Sequence, residues 1–520
     1  MGFSYKHTID AFFILLLACV VRLAVFTLPP TPAPQTLTAK EMRQDLYQLI
    51  DEINQFSAFY VIDEQRHQTQ LMAKAQQLSA RYTDTISQQR FAAEVNKLLY
   101  LLDDPGAQLA QANTNTSSAQ LNLTADIPNL VNANQGVLPI LLRPMDSAWL
   151  ALDANEQPLD ADFPFITHID GLPMTSWVSA SQAYLPKTLK LSPTMQRSWL
   201  HQLNVLRQDM GLVVSPQVRL TLSTHANVLE AELTEATRPT QRQVVMSVAR
   251  QFDSVITHQA VHFRQIDPQT TLIELTDLDA FEQSRRQQNL LRSAMANTYL
   301  VLDVRRAHGH SQTLMTMLSQ YADIKPNSTI NSRHTILGLA KYRLSPHVKN
   351  DYLQSLGFSP TATTHVTNIN DEYAHPEFST WLTRTQDVTP PTYPNNYLVL
   401  LISPECQQDC EWLAYSAKAW KRATLVGEHT AGNLAKRYHF RLHNSQLDIA
   451  VSAALIFNAN GELLSGVGTA PDIALPYHDE IEWPGLLSLL KKAQSTAPNL
   501  TAEITPPPPI QTVSADKLIK

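Results

Sequence analysis

The sequence predicts a multidomain chain that combines α+β and α/β parts. Three observations support this: the length, a change of hydrophobic periodicity along the chain, and alternating strand and helix patterns in its second half. The chain has 520 residues, of which 44% are apolar, enough for two or three domains with buried cores. Its mean hydropathy of −0.19 excludes a polytopic membrane protein.

The first part of the chain has helical periodicity. Apolar side chains recur at spacings of three or four, as in Leu46, Ile50, Ile53 and Phe56. We expect an N-terminal helical segment over 35–110. The polar stretch 110–118 is then expected to be a linker or loop.

Short strand-like runs follow, and they predict a β-rich module over 120–240. The runs lie at 137–142, 149–152, 165–169 and 218–222. A turn is expected at Asp170-Gly171, between the third and fourth runs.

Beyond residue 255 the pattern becomes β-α-β, which indicates parallel strands in an α/β core over 255–480. The expected strands are 272–275, 299–304, 397–402, 423–426 and an alternating run at 447–457 that ends at the Asn460-Gly461 turn. The expected helices are 281–295, 314–321 and 411–420. Residues 323–390 look irregular, and 481–520 are expected to form a helix at 483–493 followed by a disordered tail.

Charge and glycine content exclude some functions. The formal net charge of −7 comes without basic blocks, so we expect no nucleic-acid partner. No motif calls for a cofactor. The chain has 14 glycines in 520 residues, or 2.7% by division, against about 7% on average. Few loops can therefore bring backbone N–H groups close to an oxyanion.

The N-terminus, 1–34, resembles an export signal or anchor. Lys6 and His7 precede an apolar run at 11–21 that is short for a spanning helix. Cys19 ends a lipobox-like sequence and would be lipidated; an uncleaved anchor over 11–28 and ordinary cleavage are the alternatives. A Pro-rich spacer follows. We expect a periplasmic or cell-envelope protein with a membrane tether at its N-terminus.

Two further cysteines, Cys406 and Cys410, are expected to form a disulfide in an oxidising compartment. Alternatively, the two cysteines could supply part of a metal site, but two ligands are too few for a closed zinc site. Either thiol could also act as a nucleophile at a helix N-terminus.

Several motifs, in order along the chain, resemble those of tail-specific (C-terminal processing) and tricorn-core serine peptidases. The strongest is RATLVGEHTAG at 422–432. The others are LDDPG at 102–106, IDGLP at 169–173, LDVR at 302–305 and GTAPDI at 468–473. The resemblance implies a PDZ-like β-rich module, a crotonase-like peptidase core and serine-type endopeptidase activity on protein C-termini.

The site residues implied by this resemblance are degenerate. Gln408 stands at the position of the nucleophilic serine, and an amide cannot attack a carbonyl. Asn433 stands where one branch of the family has a lysine base, and Gly106 where the other has a histidine. Ser465 replaces an orienting glutamate, although Glu462 is close enough to restore it after a small shift.

The oxyanion loop is also altered, because only Gly309 remains of a glycine cluster at 306–310. His308 and His310 are candidate metal ligands or a relocated base, with surface histidines as the plainer interpretation. Asp409 and Glu411 are expected to be first-turn acids that match a helix dipole.

The sequence thus predicts a pseudoprotease that binds polypeptide segments or partner proteins. An active peptidase of the same family with a displaced or cysteine-dependent site is the alternative, and a scaffold without a peptide ligand is a third option.

Overall fold

The computed structural model describes most of residues 36–475. The described ranges are 36–109, 136–145, 148–226, 241–249, 261–322, 395–435, 437–458 and 461–475, with the backbone of strands at 334–340, 359–360 and 382–386. These residues belong to one compact unit, Met1–Tyr477. In the second unit, His478–Lys520, only Gly485 and Ser488 are described, and both are helical.

Several expectations lie outside the described residues: the N-terminal signal with Cys19, the loop at 110–118, most of the helix at 483–493, and the tail. Within the described ranges, no helix has both the length and the apolar character needed to span a membrane.

The helical segment, residues 36–109, packs its helices through apolar faces. Its elements are β1 (Thr36–Thr38), α1 (Ala39–Phe56), α2 (Ala58–Ile62), α3 (Glu64–Arg81), β2 (Thr85–Ser87), α4 (Gln88–Leu99) and β3 (Gln108–Leu109). A capping box starts α1: Glu41 N donates to Thr38 Oγ1 at 3.3 Å, and Thr38 N donates to Glu41 Oε2 at 2.8 Å. Leu46, Leu49 and Ile53 are fully buried on one face of α1.

The middle module, residues 136–249, is an antiparallel sheet with three helices. Its elements are β4 (Leu141–Met145), β5 (Ala148–Leu152), β6 (Phe165–Ile169), β7 (Leu172–Pro173), α5 (Met174–Ser181), α6 (Pro193–Leu200), α7 (Leu203–Asp209), β8 (Gln217–Ser223) and β9 (Gln241–Ser247). The strand order is β4-β5-β6-β8-β9, with β7 paired to β6.

The expected turn at Asp170-Gly171 joins β6 to β7, and Asp170 there has φ +51°. The buried Arg207 holds it, since Nε donates to Asp170 Oδ2 at 2.8 Å. The prediction of a strand at 137–142 is wrong for residues 137–140, because β4 begins at Leu141. Val137 makes only an isolated bridge to Ala249, because Pro139 has no N–H with which to continue a ladder.

The α/β core, residues 261–475, is built on a mainly parallel sheet. Its elements are β10 (Val261–Asp267), β11 (Thr270–Leu275), α8 (Leu278–Gln283), α9 (Arg285–Ala294), β12 (Tyr299–Asp303), α10 (Gln312–Leu318), β13 (His334–Ala340), β14 (Ser359–Pro360), β15 (Leu382–Gln386), β16 (Tyr397–Ile402), α11 (Asp409–Ala417), β17 (Ala423–Gly427), β18 (Arg437–Arg441), β19 (Asp448–Ser452), β20 (Ala454–Phe457) and β21 (Ile473–Ala474). The order is β10-β11-β12-β16-β17-β21, antiparallel only between β10 and β11. All five residues of β12 are buried, as expected for a parallel strand covered on both faces.

Three features of the core differ from the sequence prediction. The helix expected at 281–295 is two helices, because the Ser284 side chain caps a new start at α9. The strand expected at 447–457 divides at Ala453 into β19, which pairs with β18 and β3, and β20, which pairs with β13. The stretch expected to be irregular contains β13, β14 and β15, which join β20 in one sheet.

Two apolar clusters fill the described part of the chain. The first joins the helical segment, the middle module and the β18–β19 hairpin, with Trp177 and Trp199 among its fully buried side chains. The second fills the α/β core around Trp412 and Trp420. The hairpin of the α/β core therefore shares its hydrophobic packing with the N-terminal parts of the chain.

Candidate functional site

Gln408 lies in a strained turn between β16 and α11. Its φ of +58° and ψ of −116° are unfavourable for a residue with a side chain. Gln408 N donates to Asn433 O at 2.6 Å, and Trp412 N donates to Gln408 O at 3.1 Å. A sharp strand-to-helix turn of this kind presents a nucleophile in other hydrolases. Here it presents a carboxamide.

The four positions singled out in the sequence gather around the turn at 430–433. Asn433 contacts Gln408 through its carbonyl. A Cβ placed on Gly106 would lie 2.9 Å from Asn433 Oδ1 and would also collide with Ser452 Oγ. Gly466, which follows Ser465, donates from its N to Gly432 O at 3.0 Å.

Ser465 and Glu462 serve the turn after β20. Ser465 Oγ accepts a hydrogen bond from Ile456 N at 2.9 Å. Glu462 N donates to Asn458 Oδ1 at 2.9 Å. Among the described residues, neither Ser465 nor Glu462 is hydrogen-bonded to Gln408.

Glu411 organises the 430–433 turn. Its side chain is 1% exposed and accepts hydrogen bonds from Thr430 Oγ1 and Gly432 N at 2.5 Å and from Asn433 N at 3.1 Å. Burial raises the pKa of Glu411 to about 7, although these hydrogen bonds act in the opposite direction. Glu411 lies in the first turn of α11, as predicted, but its carboxylate is buried and holds the 430–433 turn.

Asp104 is a second buried carboxylate at the site. It accepts hydrogen bonds from Ser452 N at 2.8 Å, Ser452 Oγ at 2.7 Å and Gly106 N at 2.8 Å. Burial raises the pKa of Asp104, although its hydrogen bonds with Ser452 and Gly106 and, to a smaller extent, the charge of Arg437 act in the opposite direction. Burial lowers the pKa of Arg437 to about 10, and its Nη2 also donates to Gln407 Oε1.

Backbone amides around Gln408 are already hydrogen-bonded to carbonyl groups of the protein. Gln407 N donates to Ala307 O at 2.9 Å, and Asp409 N donates to Gly309 O at 3.2 Å. An oxyanion hole requires N–H groups aimed at the developing negative charge, usually including that of the residue after the nucleophile. In this chain, the 307–309 loop instead turns carbonyl oxygens toward the strand-to-helix turn at 407–409, which we call the elbow.

The histidines singled out in the sequence have local hydrogen-bond partners. His308 lies with Nδ1 2.6 Å from Thr276 O, and His310 with Nδ1 3.1 Å from Asp409 Oδ1. Asp409 lies in the first turn of α11, as predicted, and is 1% exposed; it also accepts from Ser311 N at 2.9 Å, so its carboxylate points inward. His429 is exposed. No group of three or more potential metal ligands occurs in the described ranges.

Cys406 and Cys410 are bonded to each other, with Cα atoms 5.5 Å apart, and both are completely buried. They bracket Gln408, so the disulfide closes the elbow as a small loop. In this state neither sulfur is a thiolate.

A cavity of about 710 Å³ lies away from the elbow, between the helical segment and the middle module. Arg81, Lys97, Ser179 and Asp209 line it. Lys97 Nζ donates to Asp209 Oδ2 at 2.7 Å, so its charged groups are paired across the boundary. The cavity contains none of the residues singled out in the sequence.

Sequence reasoning missed Asp104, Arg437 and the inward roles of Asp409 and Glu411. Asp104 stands inside the 102–106 motif, so its position was a signal for a buried site residue. Nothing local marks Arg437, because its proximity to Asp104 depends on the pairing of β3 with β19.

The comparisons agree with this architecture. Residues 269–475 match the model of peptidase family S41. A structure of mature CPAF complexed with lactacystin is 13% identical, with a TM-score of 0.55 over 88% of this chain and 98% of that one. Mature CPAF in a second crystal structure is also 13% identical, with a TM-score of 0.52 over 88% and 96% of the two chains. The photosystem II D1 C-terminal processing protease is 14% identical, with a TM-score of 0.37 over 86% and 97%.

No curated protein matches the chain. The family model covers the strands and turns that carry the elbow, the 430–433 turn and the 466–468 turn. Residues 269–475 thus match peptidase family S41, in agreement with the resemblance of the sequence motifs to those of tail-specific serine peptidases.

Proposed function

We propose that this protein is a catalytically degenerate homologue of the tail-specific serine peptidases that binds polypeptide segments or partner proteins. One observation carries the proposal: Gln408 occupies the strained elbow, where a nucleophile would stand. A carboxamide has no basic lone pair on nitrogen and cannot form an acyl intermediate. The fold is thereby kept while the hydrolytic chemistry is lost.

The surroundings of Gln408 support the same conclusion. The Asp409 N–H group is hydrogen-bonded to Gly309 O, so a tetrahedral intermediate would meet a carbonyl where it needs a donor. Loss of one such donor typically costs about 100- to 1,000-fold in rate, and loss of the nucleophile costs more. Asn433 and Gly106 supply no base.

Binding would use the middle module and the surface around Gln408. The antiparallel sheet with edge strands β4 and β9 and the Asp170 turn is compatible with a PDZ-like module, and the parallel sheet of the core with a crotonase-like fold. An extended peptide added to a sheet edge is a common mode of recognition. An N-terminal membrane tether would place this binding surface outside the cytoplasm.

The test is a cleavage and binding assay of the full chain, with and without reductant. Labelled β-casein, an unfolded polypeptide, serves as substrate and ligand, and an active tail-specific peptidase serves as positive control. We expect binding without cleavage. We also expect no cleavage by the Gln408→Ser/Asn433→Lys double variant, because its Asp409 amide stays hydrogen-bonded to Gly309.

Cleavage by the native chain would overturn the proposal. If it required reductant and disappeared in Cys406→Ser or Cys410→Ser, the nucleophile would be a thiol. If neither substitution affected it, the active site would lie elsewhere. Absence of both cleavage and binding would favour the scaffold role.

A further inference from the structure

We infer that Gln408 has become a ligand-binding residue, whose carboxamide pairs with an internal main-chain peptide group of the bound polypeptide. This inference rests on the proposed function and adds the contact that recognition would use. The first observation is that the backbone is strained at Gln408, although this residue cannot be a nucleophile. Strain of this kind costs about 1–3 kcal/mol and is typical of functional sites.

The carboxamide of Gln408 makes no hydrogen bond to any described residue, and the side chain is only half-buried. Its sequence neighbours differ. Gln407 Oε1 accepts from Arg437, and the Asp409 carboxylate accepts from Ser311 N. The elbow thus holds its flanking side chains inside the protein and leaves one donor and acceptor pair available to a ligand.

A second polar group lies beside it. Asn433 is 3% exposed, and no described residue donates a hydrogen bond to its Oδ1. The main-chain oxygen of the same residue accepts from Gln408 N, so the two side chains start from adjoining backbone. Asn433 Oδ1 is buried against Gly106, which is also buried, so the Gln408 carboxamide is the one of the two side chains that a ligand can reach.

These groups select the ligand. A peptide group offers a carbonyl for Gln408 Nε2 and an N–H for Gln408 Oε1, so both are satisfied. A terminal carboxylate offers only acceptors and would leave Gln408 Oε1 without a donor. The geometry therefore favours an internal peptide group over a chain terminus.

The test measures the dissociation constant of labelled β-casein for the full chain and its variants by fluorescence anisotropy. Gln408→Ala is expected to weaken binding about tenfold, and Gln408→Gly equally, although glycine relieves the backbone strain. Gln408→Glu keeps the shape but loses the donor, so it should weaken binding to a similar extent. Thermal unfolding midpoints that are not lower than that of the native chain exclude loss of fold.

Gln446→Ala is the matched control. Gln446 also has a positive φ, +59°, but its Nε2 donates to His443 O at 2.5 Å in an exposed turn. Its substitution should leave binding unchanged. Unchanged binding in Gln408→Ala and Gln408→Gly would overturn this inference and leave the proposed function standing. Absence of binding by the native chain would overturn both.

Discussion

Asp104 and Glu411 are both buried carboxylates that hold turns of the same site, yet their surroundings differ. Asp104 fixes Gly106 and Ser452 and lies in the field of Arg437. Glu411 fixes the 430–433 turn through hydrogen bonds alone. Neutral donors hold both carboxylates, and Asp104 lies in addition in the weaker field of a cation. The comparison shows two ways of holding a loop with a buried acid, and they respond differently to pH and to mutation.

The largest effect is expected from Arg437→Met, which removes the cation opposite Asp104. The substitution ends both the charged hydrogen bond to Gln407 and the attraction to Asp104, which together should destabilise the fold by about 3 kcal/mol at pH 8. The loss should be smaller at pH 5, because Asp104 can then be neutralised by a proton. Urea unfolding at both pH values measures it.

Asp104→Asn provides the control for this substitution. The loss of stability in the double variant with Arg437→Met should be smaller than the sum of the losses in the two single variants. Strict additivity together with equal losses at both pH values would show that Arg437 does not balance Asp104.

The second effect concerns pH and Glu411. Its pKa in the folded protein is about 7, against an ordinary value of 4.5. The folded state therefore binds the proton more readily, so the contribution of this group to stability is complete below pH 4.5 and is lost as the pH rises to about 7. The difference corresponds to about 3 kcal/mol at about 1.4 kcal/mol per pH unit.

Glu411→Gln removes this titration. The variant keeps an acceptor for Gly432 N and Asn433 N, and its stability relative to the native chain should improve as the pH rises from 5 to 8. Denaturant titrations across that range check the trend. A difference independent of pH would mean that Glu411 titrates normally.

The smallest effects compare one hydroxyl at each carboxylate. Thr430→Val removes the donor to Glu411 and the acceptor of Thr469 N, which lies 2.8 Å away. Ser452→Ala removes only the donor to Asp104 Oδ1. We expect losses of about 2 and about 1 kcal/mol, respectively, at pH 7. The opposite ranking would argue that the Ser452 hydroxyl contributes more at Asp104 than the Thr430 hydroxyl contributes at Glu411.

Sequence patterns predicted the elements whose signals are local. The strands at β6 and β16 have the expected bounds because each is an apolar run ended by a turn or an N-terminal helix signal. The order of short motifs also placed Gly106, Gln408 and Asn433 in one part of the molecule.

Features that depend on tertiary contacts were not predictable. The division of β19 from β20 at Ala453 leaves no mark in a continuous apolar stretch, because it follows from pairing with different sheets. The direction of the Ala307 and Gly309 carbonyls depends on how the loop meets Gln407 and Asp409. Glu411 could be assigned an inward role only after the 430–433 turn was seen to close over it.

The pairing between the helical segment and the β18–β19 hairpin has a consequence for the folding pathway. Asp104 and Ser452 are separated by 348 positions in the sequence. Asp45 accepts a hydrogen bond from Ser445 N, and these two residues are 400 positions apart. A chain synthesised from its N-terminus must wait for its last strands before either contact can form, with apolar surface and the edge of β3 uncovered meanwhile. Such distant contacts slow folding and prolong exposure to aggregation. During synthesis on the ribosome, the N-terminal part of the chain would therefore depend on chaperones until the C-terminal third has emerged.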